Sequence, residues 1–546
     1  MKPYVRRTRN LLEWFDSNLL FLISAFLLVF IPLYPKIPLA DVLPGYIVRV
    51  RLEDLLVAAT VVVYVIWWIR GKANPKLNPL FWLVIGYLGV GLISGIAAVA
   101  VTKTIPAEGL HLAKWFLHWV RRVEYVFLLF LLTDAVKKSK QLMVLAGLIV
   151  GVVIVAGVYG FGQKYYQWPV YSTMNREFAK GWRLVLTEHA RVPSTFAGHY
   201  DLGAFLVLAL PVTLMLVVTV KSTGWRCLGF LGYFIGYTLL ILTASRASFL
   251  AYGAATIVLF GLLLAVKPWK RLLGWFVTVT VFSAVVFLTF GDLSGRFAHV
   301  FNMVGLRGMI EDRVFQADKT KPKNYLTLTD QLALVADKTD VPPIRFQKEE
   351  GGRKKEEGGE SWMGELPPDV YEEIPDLVAT VSATGEATFT TKPRQYSDAA
   401  FTYGLSSAIR FDVLWPQAIA GWKKNILLGS GYSTLSKTYL MDFTEAESTD
   451  NDYLRALGET GILGFGLFFG TVIYLIYLLF KGHPAKSLFE RGIQFSIIAG
   501  TIGLLVNASY IDVFEASKVA FAFWGLAGMG IAAGRIKRRE GKEGEE

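Results

Sequence analysis

Gln141 to Gly162 reads QLMVLAGLIVGVVIVAGVYGFG, twenty-two residues without a charge. A helix rises 1.5 Å per residue, so ~20 such residues cross the ~30 Å hydrocarbon core of a bilayer. Within that core every peptide group must find its partner inside the protein, which leaves helices and closed barrels as the spanning structures. The run is about twice the length of a ~10-residue barrel strand and lacks the alternation of one. It is a spanning helix.

Comparable runs flank it on both sides. They fall at about 18–34, 53–69, 80–101, 113–133, 202–220, 226–243, 247–266, 271–290, 457–480, 491–509 and 514–534. Charged residues are only 18% of the 546-residue chain, below the quarter or so of a soluble domain. The net charge of +12 is a topology signal rather than a nucleic-acid footprint, because the basic residues sit in short connections. With Lys2, Arg6, Arg7 and Arg9 placed inside, the other inner segments carry Arg70, Lys72 and Lys76; Lys137, Lys138 and Lys140; Lys221 and Arg226; Lys267, Lys270 and Arg271; Lys481, Lys486 and Arg491; and Arg535 to Lys542. The short outer connections are poorer in Lys and Arg, as the positive-inside rule requires. The first span is too long for a signal peptide, and Leu33-Tyr34-Pro35-Lys36 follows it instead of a small-residue cleavage site, so it is read as an anchor.

The expected fold is therefore an all-α polytopic membrane protein of about 12 transmembrane helices, both termini cytoplasmic, with one large extracytoplasmic loop. Residues 1–290 hold the first nine helices, 291–456 the loop, and 457–546 the last three helices and a basic tail. The single cysteine, Cys227, excludes a disulfide framework and a cysteine-built metal site, and the six histidines lack metal-ligand spacing. No metal, no cofactor and no nucleic-acid partner is expected.

Two outer connections are long, at about 163–201 and 291–456, and connections of that length carry function or are disordered. Lys348 to Glu360, KEEGGRKKEEGGE, has the composition of a disordered insert. Arg410 to Trp422 places Ile409, Val413 and Trp422 near one helical face, which suggests an amphipathic helix over the membrane mouth. No internal repeat is visible.

The polar residues that stand out gather at the outer ends of the spans. Arg191 to Gly203 reads RVPSTFAGHYDLG; Ser245-Arg246 lies between spans seven and eight; Arg410 and Gly429-Ser430-Gly431 lie in the large loop; Asp450 to Gly464 reads DNDYLRALGETGILG. Spans six, eight and ten run inward, so their N-termini face outward with free N–H groups that suit an anion. Arg246 strengthens that, since a guanidinium grips phosphate oxygens in pairs. A site of this kind suits a lipid-anchored phosphate or pyrophosphate.

The same segments resemble the O-antigen ligase and O-antigen polymerase superfamily of bacterial envelope glycosyltransferases. The likeness rests on Arg191 to Thr195-Phe196, on Ser245-Arg246, on Arg410 followed by Gly429-Ser430-Gly431, and on Asn451-x-Tyr453-Leu454-x-x-Leu457-x-Glu459-x-Gly461-x-x-Gly464. The resemblance implies a membrane glycosyltransferase at the outer face of the bacterial inner membrane, working without a metal. It would move an undecaprenyl-pyrophosphate-linked glycan onto an acceptor hydroxyl of a glycan or lipid. Arg191, Arg246, Arg410 and Asn451 would bind pyrophosphate or substrate, and Asp450 and Glu459 would be the catalytic candidates. The ligase branch has a His-Asn pair where this chain has Asp450-Asn451, which favours a polymerase-type member. A secondary transporter or lipid flippase is the alternative, and a non-catalytic envelope scaffold a third reading.

Each of these residues also has a structural reading. Thr449 or Asp450 suits the cap of the helix entering span ten. Arg246 suits an interface arginine, Arg410 a solvated helix face, Arg191 a loop charge and Glu459 an interfacial carboxylate. His199 and Asp201 invite a dyad, with helix capping by Asp201 as the alternative. Gly429-Ser430-Gly431 is a turn first and a phosphate nest second. Arg121, Arg122 and Glu124 fall inside span four, where charge is costly; Arg121 and Glu124, three apart, are expected to pair, with a lipid-phosphate contact as the other reading.

Overall fold

The computed structural model describes residues 3–39, 50–73, 79–173, 181, 183–186, 190–291, 293–294, 376–381, 387–392, 410–435, 448–482, 485 and 487–543. The first nine helices are α1 (Pro3–Leu33), α2 (Leu52–Ile69), α3 (Pro79–Ala100), α4 (Gly109–Ala135), α5 (Ser139–Tyr166), α6 (His199–Thr219), α7 (Thr223–Leu242), α8 (Arg246–Leu263) and α9 (Trp269–Thr289). The large loop contributes an antiparallel ribbon of β1 (Asp376–Val381) and β2 (Ala387–Lys392), then a π turn, Arg410–Leu414, leading into α10 (Trp415–Lys424). Then come α11 (Asp452–Tyr477), α12 (Leu488–Asn507) and α13 (Ser517–Glu543). The charged insert 348–360 and Ile409 lie outside the described residues.

Eleven of these helices are long and apolar enough to cross a membrane. The protein is thus an all-α, multi-pass membrane protein. Of the twelve expected spans, the one outside the eleven is the fourth, α4. Its 27 residues suffice in length, but they carry Lys114, Arg121, Arg122, Glu124 and Asp134. Those charges are sheltered by protein rather than lipid: Lys114 is 0% exposed and Arg122 3%. The helix lies along α13 and beside α1 and α3. Charges in a span persist when they face partners inside the bundle.

Helix α6 is apolar all round and sits at the centre, its hydrophobic window wholly buried. A helix without a polar face belongs in a core. It is wrapped by α5, α7, α8, α12 and α13, whereas α9 buries only Leu272 and Val279 and stands at the rim.

The helix ends sort by chemistry. The Pro32 carbonyl at the end of α1 accepts from Thr195 Oγ1 at 2.7 Å and Lys518 Nζ at 3.0 Å. Lys36 meets Glu53 at 3.3 Å, Ser94 Oγ of α3 meets the Glu459 carbonyl at 2.8 Å, and Asn507 Nδ2 meets Ser248 Oγ at 3.2 Å. The ends of α1, α3 and α12 therefore share one end of the bundle with the starts of α2, α6, α8, α11 and α13. The other end holds the basic connections. There Arg70 pairs with Asp16 at 3.0 Å, Arg226 caps the Val220 carbonyl at 2.6 Å, and Arg491 reaches the Leu479 carbonyl at 2.9 Å.

Helix α11 starts at Asp452 rather than at the expected 457, and it is broken at Gly461, whose φ of 64° and ψ of −167° no helix allows. The segment after α10 fills the break. Ser430 and Gly431 donate their amides to the Gly458 and Glu459 carbonyls at 2.8 and 2.9 Å, and the amides of Ile462 and Leu463 donate back to Ile426 and Leu427 at 3.0 and 3.2 Å. Non-helical backbone at membrane depth survives only when protein satisfies it in this way. A Cβ on residue 461 would lie 2.3 Å from the Leu427 carbonyl carbon. Gly461→Ala should therefore cost about 1–3 kcal/mol. Gly466→Ala, on the same helix with open space beside it, should be neutral or slightly stabilising. Unfolding of both variants in detergent checks the contrast.

Candidate functional site

The first turn of α11 organises the site. Its cap is Asn451, whose Oδ1 accepts from the Leu454 amide at 3.0 Å while its Nδ2 donates to the Ser509 carbonyl at 2.9 Å. The expected cap at Thr449 or Asp450 is corrected accordingly. With Asn451 capping, Asp450 turns away from the helix end. It takes a left-handed φ of 52°, which a short polar side chain tolerates, and its Oδ2 pairs with Arg410 Nη2 at 2.8 Å.

Arg410 is 2% exposed, which rules out the solvated-face reading. It belongs to the π turn rather than to the helix, and its guanidinium lies 3.9 Å over the Tyr510 ring. Arg191 approaches from the loop before α6. Its Nη1 lies 2.7 Å from His199 Nε2 and donates to Tyr200 Oη at 3.2 Å. Arg191, Arg410 and Asp450 all act electrostatically on the Tyr200 hydroxyl. Four of the six expected site residues, Arg191, Arg410, Asp450 and Asn451, are thus brought together.

Arg246 is at the same end but stands apart. It opens α8 behind the Ser245 cap, which accepts from the Ser248 amide at 3.3 Å. No hydrogen bond or ion pair engages its side chain among the described residues, and it is only partly buried. The dyad of His199 and Asp201 does not form: the His199 ring takes Arg191 instead. Asp201 caps nothing either, since α6 begins behind Gly198 without a side-chain cap.

Glu459 lies below this layer with both oxygens engaged. Its Oε1 accepts from the Ser433 amide at 3.1 Å and faces Arg455 Nε at 3.4 Å, and its Oε2 accepts from Arg122 Nη2 at 3.1 Å. Arg122 also pairs with Glu515 at 2.7 Å and lies 3.7 Å over the Tyr432 ring. Arg455 continues the chain to Asp512 at 2.8 Å. Tyr87, Arg122, Tyr432, Asp452, Glu459 and Glu515 line a narrow pocket. At 2% exposure, Glu459 holds Arg122 and Arg455 in position and offers no free carboxylate. Burial, followed by repulsion from the neighbouring Tyr87, pushes the Tyr432 phenol well above its usual range.

Two further expectations are corrected. Arg121 pairs with Asp54 of α2 at 2.8 Å and not with Glu124. Gly429 and Gly431 do have the left-handed φ of a nest, 68° and 94°, but the Ser430 and Gly431 amides are already given to α11, so no anion can take them. A second buried group, Lys36, Glu53 and Lys518, flanks the site. Lys518 Nζ is held by the Pro32, Tyr34 and Thr195 carbonyls at 3.0, 2.6 and 2.6 Å. Burial, then Arg51 beside it, push Lys36 down to about 8.

Sequence reasoning missed Ser448, Asp512 and Glu515. The signal for the latter two was present in Tyr510 to Ser517, YIDVFEAS, two acids in an apolar setting between spans. Ionisable groups so placed are functional candidates by default.

Fold and site together define a class: a multi-pass helical membrane protein with an arginine and carboxylate cluster at one end of its bundle. Beyond that class, no protein-family model matches the chain, and no curated protein matches it.

Proposed function

We propose that the protein is a membrane glycosyltransferase of the O-antigen ligase and polymerase type, acting on an undecaprenyl-pyrophosphate-linked glycan. The observation that carries this reading is Arg410, a guanidinium buried at a helix-bundle end and neutralised by a partly exposed carboxylate, with Arg191 beside it. A phosphate oxygen is the natural replacement for that carboxylate. The acceptor hydroxyl would attack the anomeric carbon, the C–O bond to pyrophosphate would break with its electrons on the phosphate, and the arginines would offset the charge that develops there. Asp450, released from Arg410, would take the hydroxyl proton. The basic connections lie at the opposite end, which by the positive-inside rule supports a site on the outer face of the inner membrane and cytoplasmic termini.

The break in α11 favours a second reading, a secondary transporter or flippase, because transporters bind at broken helices. The Gly458 and Glu459 carbonyls and the Ile462 and Leu463 amides at this break are engaged by residues 426–431, which disfavours a coupling-ion site built on them. Lipid-linked glycans from a deletion strain, run on a gel, separate the readings. Accumulated single repeat units identify a polymerase and full-length chains left on the carrier a ligase. An unchanged ladder removes both.

Arg246→Ala offers a narrower test. With no partner to orphan, the variant should insert and unfold like the parent. Loss of charge-assisted hydrogen bonds to phosphate should lower transfer by about 10–100-fold. An unchanged rate removes Arg246 from the site.

A further inference from the structure

Hydrogen counting around Asp450 exposes an arrangement the pyrophosphate reading does not use. Ser448 Oγ lies 2.5 Å from Asp450 Oδ1 and 2.9 Å from Asp512 Oδ2. The Asp450 amide donates to the same hydroxyl at 3.1 Å. A serine hydroxyl carries one hydrogen, so it serves one of the two carboxylates and leaves the other contact empty. Asp512 cannot supply a hydrogen without giving up a bond. Its Oδ2 already accepts from the Thr449 amide and from Arg455 Nη1, each at 2.8 Å, and its Oδ1 from the Asn451 amide at 2.8 Å. Two ionised carboxylates bridged by one hydroxyl are therefore one hydrogen short. A single proton on Asp450 completes the set.

We propose that Ser448 and Asp512 are positioning residues that form a hydrogen-bond relay behind Asp450, in which hydroxyl hydrogens reorient and no proton passes beyond Asp450. This rests on the reading of Asp450 as the base for glycan transfer. When the acceptor O–H bond breaks, the oxygen's electron pair forms the new bond to the anomeric carbon and the proton passes to Asp450. The proton arrives on Asp450 Oδ1, the oxygen that faces Ser448; that O–H turns about its C–O bond onto Ser448 Oγ, and the Ser448 hydroxyl hydrogen swings from Asp450 to Asp512 Oδ2. Both short contacts are then true hydrogen bonds. The relay thus favours the state reached after proton transfer over the one before it, which is where catalysis gains. It also answers how an aspartate, a weak base at its ordinary pKa near ~3.9, could serve where related enzymes place a histidine.

Other charged groups surround Asp450. Arg410 faces it directly, Tyr200 and Arg191 face it from the start of α6 with His199 behind them, and Tyr510 backs Arg410. Arg455 and Asp452 lie on the α11 side of Asp512. None of them touches Ser448, so a change at Ser448 leaves their pairs intact.

The test is Ser448→Ala beside Ser448→Thr. Ser448 is exposed, so both should fold. Loss of one hydrogen bond to protonated Asp450 should move the acid limb of the transfer rate profile to lower pH by about one unit. The plateau rate should fall about three- to tenfold, with donor KM unchanged. Ser448→Thr, which keeps the hydroxyl, should restore both. Infrared titration, as wild type minus Asp450→Asn, follows the Asp450 carboxyl band without any activity and should show the same displacement in Ser448→Ala. A Ser448→Ala protein whose acid limb and infrared midpoint both match wild type overturns the relay. If the infrared midpoint moves while Asp450→Ala retains the wild-type rate, the relay stands and the assignment of Asp450 as the base fails.

Discussion

Arg410→Ala is expected to lower glycan transfer by about 10²–10³-fold, the usual cost of removing one preorganised charge-stabilising donor from a transition state. The fold should survive. Arg410 gives up its pair with Asp450, but that carboxylate is 26% exposed and can turn to water. The stacking on Tyr510 is worth about 0.5–2 kcal/mol, which a large bundle tolerates. Arg410→Lys should recover only part of the rate. A lysine keeps the charge and loses the planar fork that grips two oxygens and stacks on a ring. The loss should appear mainly in kcat, since the charge on the leaving phosphate grows only as its bond breaks. Rates from purified protein with a lipid-linked donor decide the matter, and an Arg410→Ala variant at the parental rate would remove the central support of the proposed activity.

The fold was legible because hydropathy is written in long blocks. Gln141 to Gly162 admits one solution in lipid, and the same logic placed the other spans to within a few residues. Span ten was set late because Asp452 and Arg455 read as outer residues. The structure buries both against the α12–α13 connection, where Asp452 accepts the Val513 and Phe514 amides and Arg455 pairs with Asp512. A charge's cost in a span depends on what it faces, and a single sequence does not say which helix faces which.

The site was legible in part for the same reason. Arg191, Arg410, Asp450 and Asn451 lie in motifs whose order marks one bundle end. Their partners do not. Asp512 and Ser448 are joined to Asp450 by tertiary contacts, and neither sits in a recognisable motif. The roles inside the motifs were also exchanged by geometry. Asp450, the catalytic candidate whose alternative reading was a helix cap, holds Arg410, and Asn451, expected to bind substrate, is the cap. Glycine at 461 reads as part of a Gly-x-x-Gly pattern, and its reason, a left-handed break filled by residues 425–431, exists only in three dimensions.

The largest stability effect should come from Arg122. Its guanidinium is buried between Glu459 and Glu515 and lies on Tyr432, so Arg122→Ala takes the donor from Oε2 of a carboxylate that is 2% exposed, with the Ser433 amide and Arg455 left on Oε1. Breaking one side of a buried pair costs about 3–5 kcal/mol, whereas removing both partners costs far less. Arg122→Met combined with Glu459→Gln should therefore recover most of the loss, with Glu515, 21% exposed, left to solvent. Unfolding of the single and double variants in detergent gives the comparison directly. Glu459→Gln alone then separates two roles for that residue. If Glu459 only positions Arg122 and Arg455, the neutral amide, which still accepts a hydrogen bond, should lose stability and keep most of its transfer rate. A stable Glu459→Gln protein with no transfer would instead place that carboxylate among the reacting groups.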